Sequence, residues 1–209
     1  MTLAPARKPH WAIRHWLIGV VGVLLLYALL PFLAPVLMKA GFTNAAQVIY
    51  KPYQGVCHTY GFRSFWLFGS QPVYTRGTPA FPGDFERASG IDTQSFAGQL
   101  DARNFQGNEA MGYKVALCER DVAIYVSMAL NGIAFGLVRR RVRSIPWWFL
   151  AAIGLGPIAF DGFSQLLSQA PFNLIMFRES TAFLRLLTGS IFGAAAAWFV
   201  FPLIQGTLD

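Results

Sequence analysis

Two cysteines and their neighbours carry the most recognisable chemistry in this chain. Cys57 is followed by His58, and Cys118 by Glu119, Arg120 and Asp121. Thiolate, imidazole and carboxylate are zinc ligand types, so Cys57, His58, Cys118 and Asp121 form a candidate metal set. Adjacent Cys-His ligands are strained, however, and no paired CxxC spacing supports the set. In an oxidising compartment Cys57 and Cys118 would instead close a disulfide. Two free buried thiols are the third alternative, and the residues alone leave all three open. No cofactor is named by any motif. Asp161, Gln165, Arg178, Glu179 and Arg185 lie within or beside apolar stretches, and Arg63 and Tyr125 lie near the two cysteines. Ionisable residues inside a membrane face the bundle interior and are partnered.

The elements that must position these residues are membrane helices. Hydrophobic residues make up 55% of the 209 positions and charged residues only 13%, about half the share usual in a soluble domain. The net charge of +7 sits beside apolar blocks rather than in one aromatic-rich patch, which argues for headgroup contact and against nucleic acid. Four blocks approach the ~20 residues needed to cross a bilayer: residues 16–38, 122–138, 147–167 and 181–204. The expected fold is an all-α integral membrane protein with four transmembrane helices and an extramembrane lobe between helices 1 and 2. Its parts are a basic cytoplasmic N-terminus at 1–15, helix 1, an outer loop or lobe at 39–120, and a bundle of helices 2–4 at 121–209.

Pro31 and Pro35 are expected to kink the far end of the first span, which is read as an uncleaved helix because it lacks a small-x-small cleavage site. Arg7, Lys8 and Arg14 precede span one, and Arg139, Arg140, Arg141 and Arg143 crowd the connection between spans two and three. The positive-inside rule then places both termini in the cytoplasm and the loop 39–120 outside. Trp16, Trp147, Trp148 and Trp198 fall at the inner interface on this topology. His10 and His15 read as solvated or interfacial. In the outer loop, 62–68 is an aromatic stretch expected in the interface or against the bundle. The Gly-, Asp-, Gln- and Arg-rich stretch 76–112 reads as an exposed lobe suited to a protein partner.

Asp161 lies roughly 9 Å and Arg185 roughly 6 Å below the outer ends of their spans at about 1.5 Å rise per residue, so an Asp161–Arg185 pair is expected. Gln165 follows Asp161 by one turn, and Tyr125 follows Asp121 by one turn. Arg178 and Glu179 extend the network from just outside span four. The chemically capable residues therefore converge on the outer end of the bundle. Gly189 and Gly193 form a small-xxx-small face for close helix approach, within the bundle or against another subunit.

In these residues the chain resembles an uncharacterised prokaryotic membrane family, domain of unknown function 2085. Cys57-His58 with Arg63-Ser64-Phe65 and Leu67-Phe68-Gly69 is similar to its first motif. Cys118-Glu119-Arg120-Asp121 with Ile124-Tyr125 resembles its Cys-x-Arg-Cys motif and the tyrosine after it. Asp161-Gly162 with Gln165-Leu166 resembles the third. Arg178-Glu179-Ser180-Thr181, Leu184-Arg185 and Thr188-Gly189 resemble the fourth. Asp121 replaces the motif's second cysteine, which weakens the case for a thiolate metal or redox site. Ala182 replaces a usual asparagine, and the segment between Gln71 and Cys118 is longer than the family spacing. The resemblance implies a multi-span membrane protein with a polar cluster and brings no activity.

Two functions are expected on these grounds. The leading one is a non-catalytic accessory or structural subunit of a membrane assembly, with the bilayer and other subunits as partners. The alternative is a membrane enzyme or redox or metal protein using the outer cluster. No inverted repeat suggests a transporter, and no G-x-S-x-G motif suggests a serine hydrolase.

Overall fold

The computed structural model describes residues 11–138, 141–169 and 171–209. Arg7, Lys8, His10, Arg139, Arg140 and Ala170 lie outside the described residues. Helix α1 (Trp11–Leu29) passes through a 3-10 turn at Leu30–Phe32 into α2 (Leu33–Lys39). Pro31 stands at the start of that turn and both prolines are buried. Proline lacks the N–H of an α-helical bond, which is why the helix tightens there. Helix α3 (Thr43–Val56) buries Ala46, Ile49, Tyr50 and Tyr53, the i, i+3, i+4, i+7 face of an amphipathic helix. Its tyrosines anchor it: Tyr53 donates to the Tyr27 carbonyl at 2.8 Å and Tyr50 to the Lys114 carbonyl at 2.6 Å.

The stretch from Cys57 to Cys118 corrects the all-α expectation. Strands β1 (Ser64–Leu67), β2 (Gly107–Asn108) and β3 (Gly112–Cys118) form an antiparallel sheet in the order β1-β3-β2. Helices α4 (Asp84–Ser89) and α5 (Phe96–Asn104) lie between β1 and β2 in sequence. Phe62, Trp66, Tyr74, Phe85, Ala102 and Met111 pack into a separate core, so much of the aromatic stretch 62–68 serves the sheet unit. Phe65 turns the other way, onto Phe32. Strand β3 hides from sequence reading because Lys114, Val115, Ala116 and Leu117 are all fully buried. A strand covered on both faces shows no period-2 alternation. The β1–β3 register sets Ser64 opposite Cys118, with an irregularity before Trp66, and so holds the segment after α3 over the strand's end.

Helix α6 (Glu119–Leu137) continues directly from β3. Its widest interface is with α9 (Ala182–Leu208) and its next with α1. Between them in sequence, α7 (Trp147–Phe149), a π-helical stretch Leu150–Leu155 and α8 (Gly156–Ser168) follow one another without a break. Among the described residues, three helices are long and apolar enough to cross a membrane: Arg14–Lys39, Trp147–Ser168 and Ala182–Leu208. They cover the first, third and fourth predicted spans. Helix α6 covers the second, but begins on Glu119, Arg120 and Asp121 and falls outside that set. At the end of the bundle away from the sheet, Trp16 donates to Gln205 and Trp198 to the Arg143 carbonyl.

Candidate functional site

A cavity of about 270 Å³ opens where β3 becomes α6. Its lining includes Cys57, His58, Thr59, Tyr60, Arg63, Cys118, Arg120, Asp121, Gln165 and Arg185. Eight of the twelve sequence-selected residues thus share one wall. Tyr125 lines an adjoining groove with Asp121, Glu179 sits in a pocket with Arg185, and Asp161 and Arg178 stand in the supporting ion-pair network. Another cavity, at the opposite end of α6, has no ionisable residue in its lining.

Cys57 and Cys118 are not bonded to each other. Their sulfurs and an Asp121 carboxylate oxygen lie within 4.8 Å of one another. His58 is outside this group and stacks on Tyr60 with ring centroids 5.7 Å apart. The Cys118 thiol donates to the Cys57 sulfur, pulling Cys57 below its ordinary value against the opposing effect of burial. The same hydrogen bond and burial push Cys118 well above its own. The two sulfurs thus interact with each other beside a carboxylate.

Two ion-pair hubs hold the surrounding wall. In the first, Asp161 lies 3% exposed between two guanidinium groups: Arg178 donates at 2.7 Å to one oxygen and Arg120 to the other. Gln165 donates to the second oxygen at 3.2 Å. In the second hub Arg63 grips Glu179 bidentately at 2.8 and 2.9 Å, Arg185 approaches at 2.5 Å and Arg76 at 3.3 Å. Arg185 also donates to Glu119 at 3.1 Å and to the Phe62 carbonyl at 3.2 Å. The expected Asp161–Arg185 pair is corrected accordingly. Arg185 shares the face of α9 that carries Gly189 and Gly193, and that face meets α6. A Cβ on Gly189 would lie 2.7 Å from the Arg120 carbonyl oxygen, and one on Gly193 would overlap Ile124 and Ser127. This small-residue face is occupied within the chain and is not free for another subunit.

Lys114, Glu119, Arg76 and Thr59 belong to this architecture and sequence reading passed over them as site residues. Lys114 is fully buried and donates to the Thr59 carbonyl at 2.8 Å and the Arg103 carbonyl at 2.5 Å, so it pins the turn after Cys57. Burial pushes its amine from 10.5 to about 7, with Cys57 opposing and Arg103 reinforcing the shift. Between those two values the unfolded chain binds a proton that the folded chain does not, so stability rises with pH from about 7 towards 10.5. The slope is up to about 1.4 kcal/mol per pH unit. Thermal unfolding from pH 6.5 to 9 is expected to show this rise in the natural protein and to lose it in Lys114→Met. Equal slopes would assign the pH dependence to other groups. A lone lysine within an apolar run was the available signal for Lys114. Glu119 stood inside the Cys118–Asp121 motif, whereas Arg76 sits in a loop with no local pattern.

Comparison with known proteins places these residues in a wider group. No solved structure matches the chain. An uncharacterized protein of Methanocaldococcus jannaschii is 24% identical over 196 residues, covering 91% of this chain and 92% of its own. The sequence model of DUF2085, described as a predicted membrane protein, matches residues 99–199. That match takes in Cys118, Asp121, Asp161, Glu179 and Arg185 and ends short of Cys57, His58 and Arg63. Over residues 99–199, from the approach to Cys118 almost to the end of α9, this chain is similar to DUF2085, a family of predicted membrane proteins.

Proposed function

We propose that the chain is a four-span membrane protein whose working site is the Cys57–Cys118–Asp121 cavity, and that this site binds a zinc-class metal ion. The single observation that carries the reading is three ligand-type atoms within 4.8 Å of one another on a cavity wall. In a tetrahedral zinc site with Zn–S near 2.3 Å, ligand atoms stand roughly 3.8 Å apart, so a small closure suffices. Three protein ligands leave a fourth position facing the cavity, the arrangement of catalytic rather than structural zinc. A metal held by Cys57, Cys118 and Asp121 would supply Lewis-acid chemistry at the cavity. Arg63 and Arg120 would stabilise negative charge that develops nearby. Asp121 stands where the resembling family has a cysteine, and a carboxylate retains the ligand function.

For the topology, α6 as the second span is supported by its place between α1 and α9 and by the exposed apolar residues Leu130, Ile133 and Leu137. Its charged start then lies in the interface with the sheet unit rather than in lipid. The basic connection after α6 supports a topology with the cavity and sheet unit outside and both termini inside. Against an accessory subunit stands the internal use of the Gly189/Gly193 face, one of the features that motivated it.

Purification without reductant or chelator, followed by metal analysis and thiol titration, tests the reading. About one metal ion per chain is expected. Cys57→Ser, Cys118→Ser and Asp121→Asn should each weaken retention by more than the roughly 10–100-fold typical of losing an outer-shell partner. A metal-free protein with a Cys57–Cys118 disulfide would overturn the proposal and restore the accessory reading.

A further inference from the structure

The cavity does not end at the protein wall. Val56 and Asp121 line both it and a groove of about 420 Å³ whose other walls are Val23, Leu24, Tyr27 and Tyr125. Val23 is 66% exposed on the flank of α1, in the middle of an apolar helix of membrane-spanning length. The groove therefore runs from the polar cavity to the surface that meets lipid chains. Its chemistry changes along that path, from Asp121 through two tyrosine rings to aliphatic side chains.

The cavity lining at the polar end holds more arginines than carboxylates. Five arginines, at 63, 76, 120, 178 and 185, surround three carboxylates, Asp161, Glu119 and Glu179. Among the described residues Asp121 is the one carboxylate in the cavity lining, beside Arg63, Arg120 and Arg185. Among the described residues two buried side-chain polar atoms have no hydrogen-bond partner, Thr59 Oγ1 and Arg120 Nε. Both residues line this cavity. Buried polar groups in native proteins are almost always satisfied, so these two are groups beside the cavity with unused hydrogen-bonding capacity.

We infer that the cavity and groove together bind a membrane amphiphile with a phosphate-bearing head. The phosphate takes its donors from the cavity-lining residues Arg120, Arg63 and Thr59. The chain lies across the edge-to-face pair of Tyr27 and Tyr125, whose ring centroids are 4.5 Å apart, and leaves along Val23 and Leu24 into the bilayer. This names the ligand class of the site proposed above. It rests on that cavity being the working site but needs no metal.

The test uses the full chain in an uncharged detergent with chelator present, and three probes: dodecyl phosphate, inorganic phosphate and dodecanol. Dodecyl phosphate is expected to bind at least tenfold more tightly than either of the others. Val23→Trp alters an exposed position and should remove the advantage over inorganic phosphate by filling the groove. Arg120→Lys keeps a positive charge beside Asp161, loses the buried N–H, and should weaken both phosphate probes on the order of tenfold. Dodecyl phosphate binding no better than dodecanol would overturn the head site. Binding no better than inorganic phosphate, or unchanged in Val23→Trp, would overturn the groove. Binding in chelator by a protein that purifies without metal would support this inference while sinking the metal reading. A metal-bearing protein indifferent to the phosphate head would do the reverse.

Discussion

Glu179→Gln is expected to lower stability by about 3–5 kcal/mol and to loosen the sheet unit from the helices, because it leaves buried arginines around a neutral side chain. The three guanidinium groups on Glu179 come from separate places: Arg63 from the turn before β1, Arg76 from the loop after it, and Arg185 from α9. The carboxylate side chain is 9% exposed, and those of Arg76 and Arg185 are 2% and 5% exposed, so water cannot replace it. Burial alone would raise the Glu179 carboxyl, but Arg63, Arg185 and Arg76 outweigh it and hold it below its ordinary 4.5. Its contribution is therefore present above that pH and lost as pH falls through the depressed value. Thermal unfolding in detergent, with limited proteolysis of the 68–112 segment, reads both effects. A protease-resistant variant within about 1 kcal/mol of the natural protein would show that apolar packing, not this hub, joins the two parts. The loss is large against a typical total of ~5–15 kcal/mol.

Gly193→Ala should destabilise the bundle by about 1–3 kcal/mol through overpacking, with Gly189→Ala milder. The added methyl at 193 meets the Ile124 carbonyl oxygen, which is backbone and cannot rotate away, as well as Ser127 Oγ. At 189 the nearest atoms are the Arg120 carbonyl oxygen at 2.7 Å and Ala123 Cβ at 3.1 Å, so a smaller displacement relieves the clash. The separation also moves Arg185 away from Glu119, which lies across the same interface. Thermal midpoints of the two variants, with metal retention measured in parallel, check the prediction. Equal midpoints for both variants and the natural protein would mean that α6 and α9 can part without cost. Gly41 and Gly55 have open space at their Cβ positions and serve as helix-packing controls, Gly55 being the cleaner because Gly41 has a positive φ.

Much of the architecture was legible because apolar length is a one-dimensional property. Helices cover the blocks at 16–38, 122–138, 147–167 and 181–204 to within a few residues, and three meet the length and hydropathy of a membrane span. That Cys118, Arg120, Asp121, Gln165 and Arg185 belong to one end was legible for the same reason, since rise per residue orders residues along a helix. Rotation about the helix axis was not read. Arg185 and Asp161 have different neighbours, and the i, i+4, i+8 series Arg185, Gly189, Gly193 was the unused signal that α9 turns this face to α6. The sheet was missed because β3 is buried on both faces and its lysine is buried with it rather than displayed to water.

By itself the sequence determined a membrane protein with its reactive residues gathered at one end, because span length, basic flanks and residue depth are all local quantities. Only the tertiary structure decided which residues touch. The pairing of β1 with β3 brings Cys57 to Cys118 across sixty residues of chain, and the α6–α9 contact assigns Arg185 to Glu119. Such partnerships depend on helix rotation and strand register, which follow from the packing of whole faces and not from any short stretch of sequence.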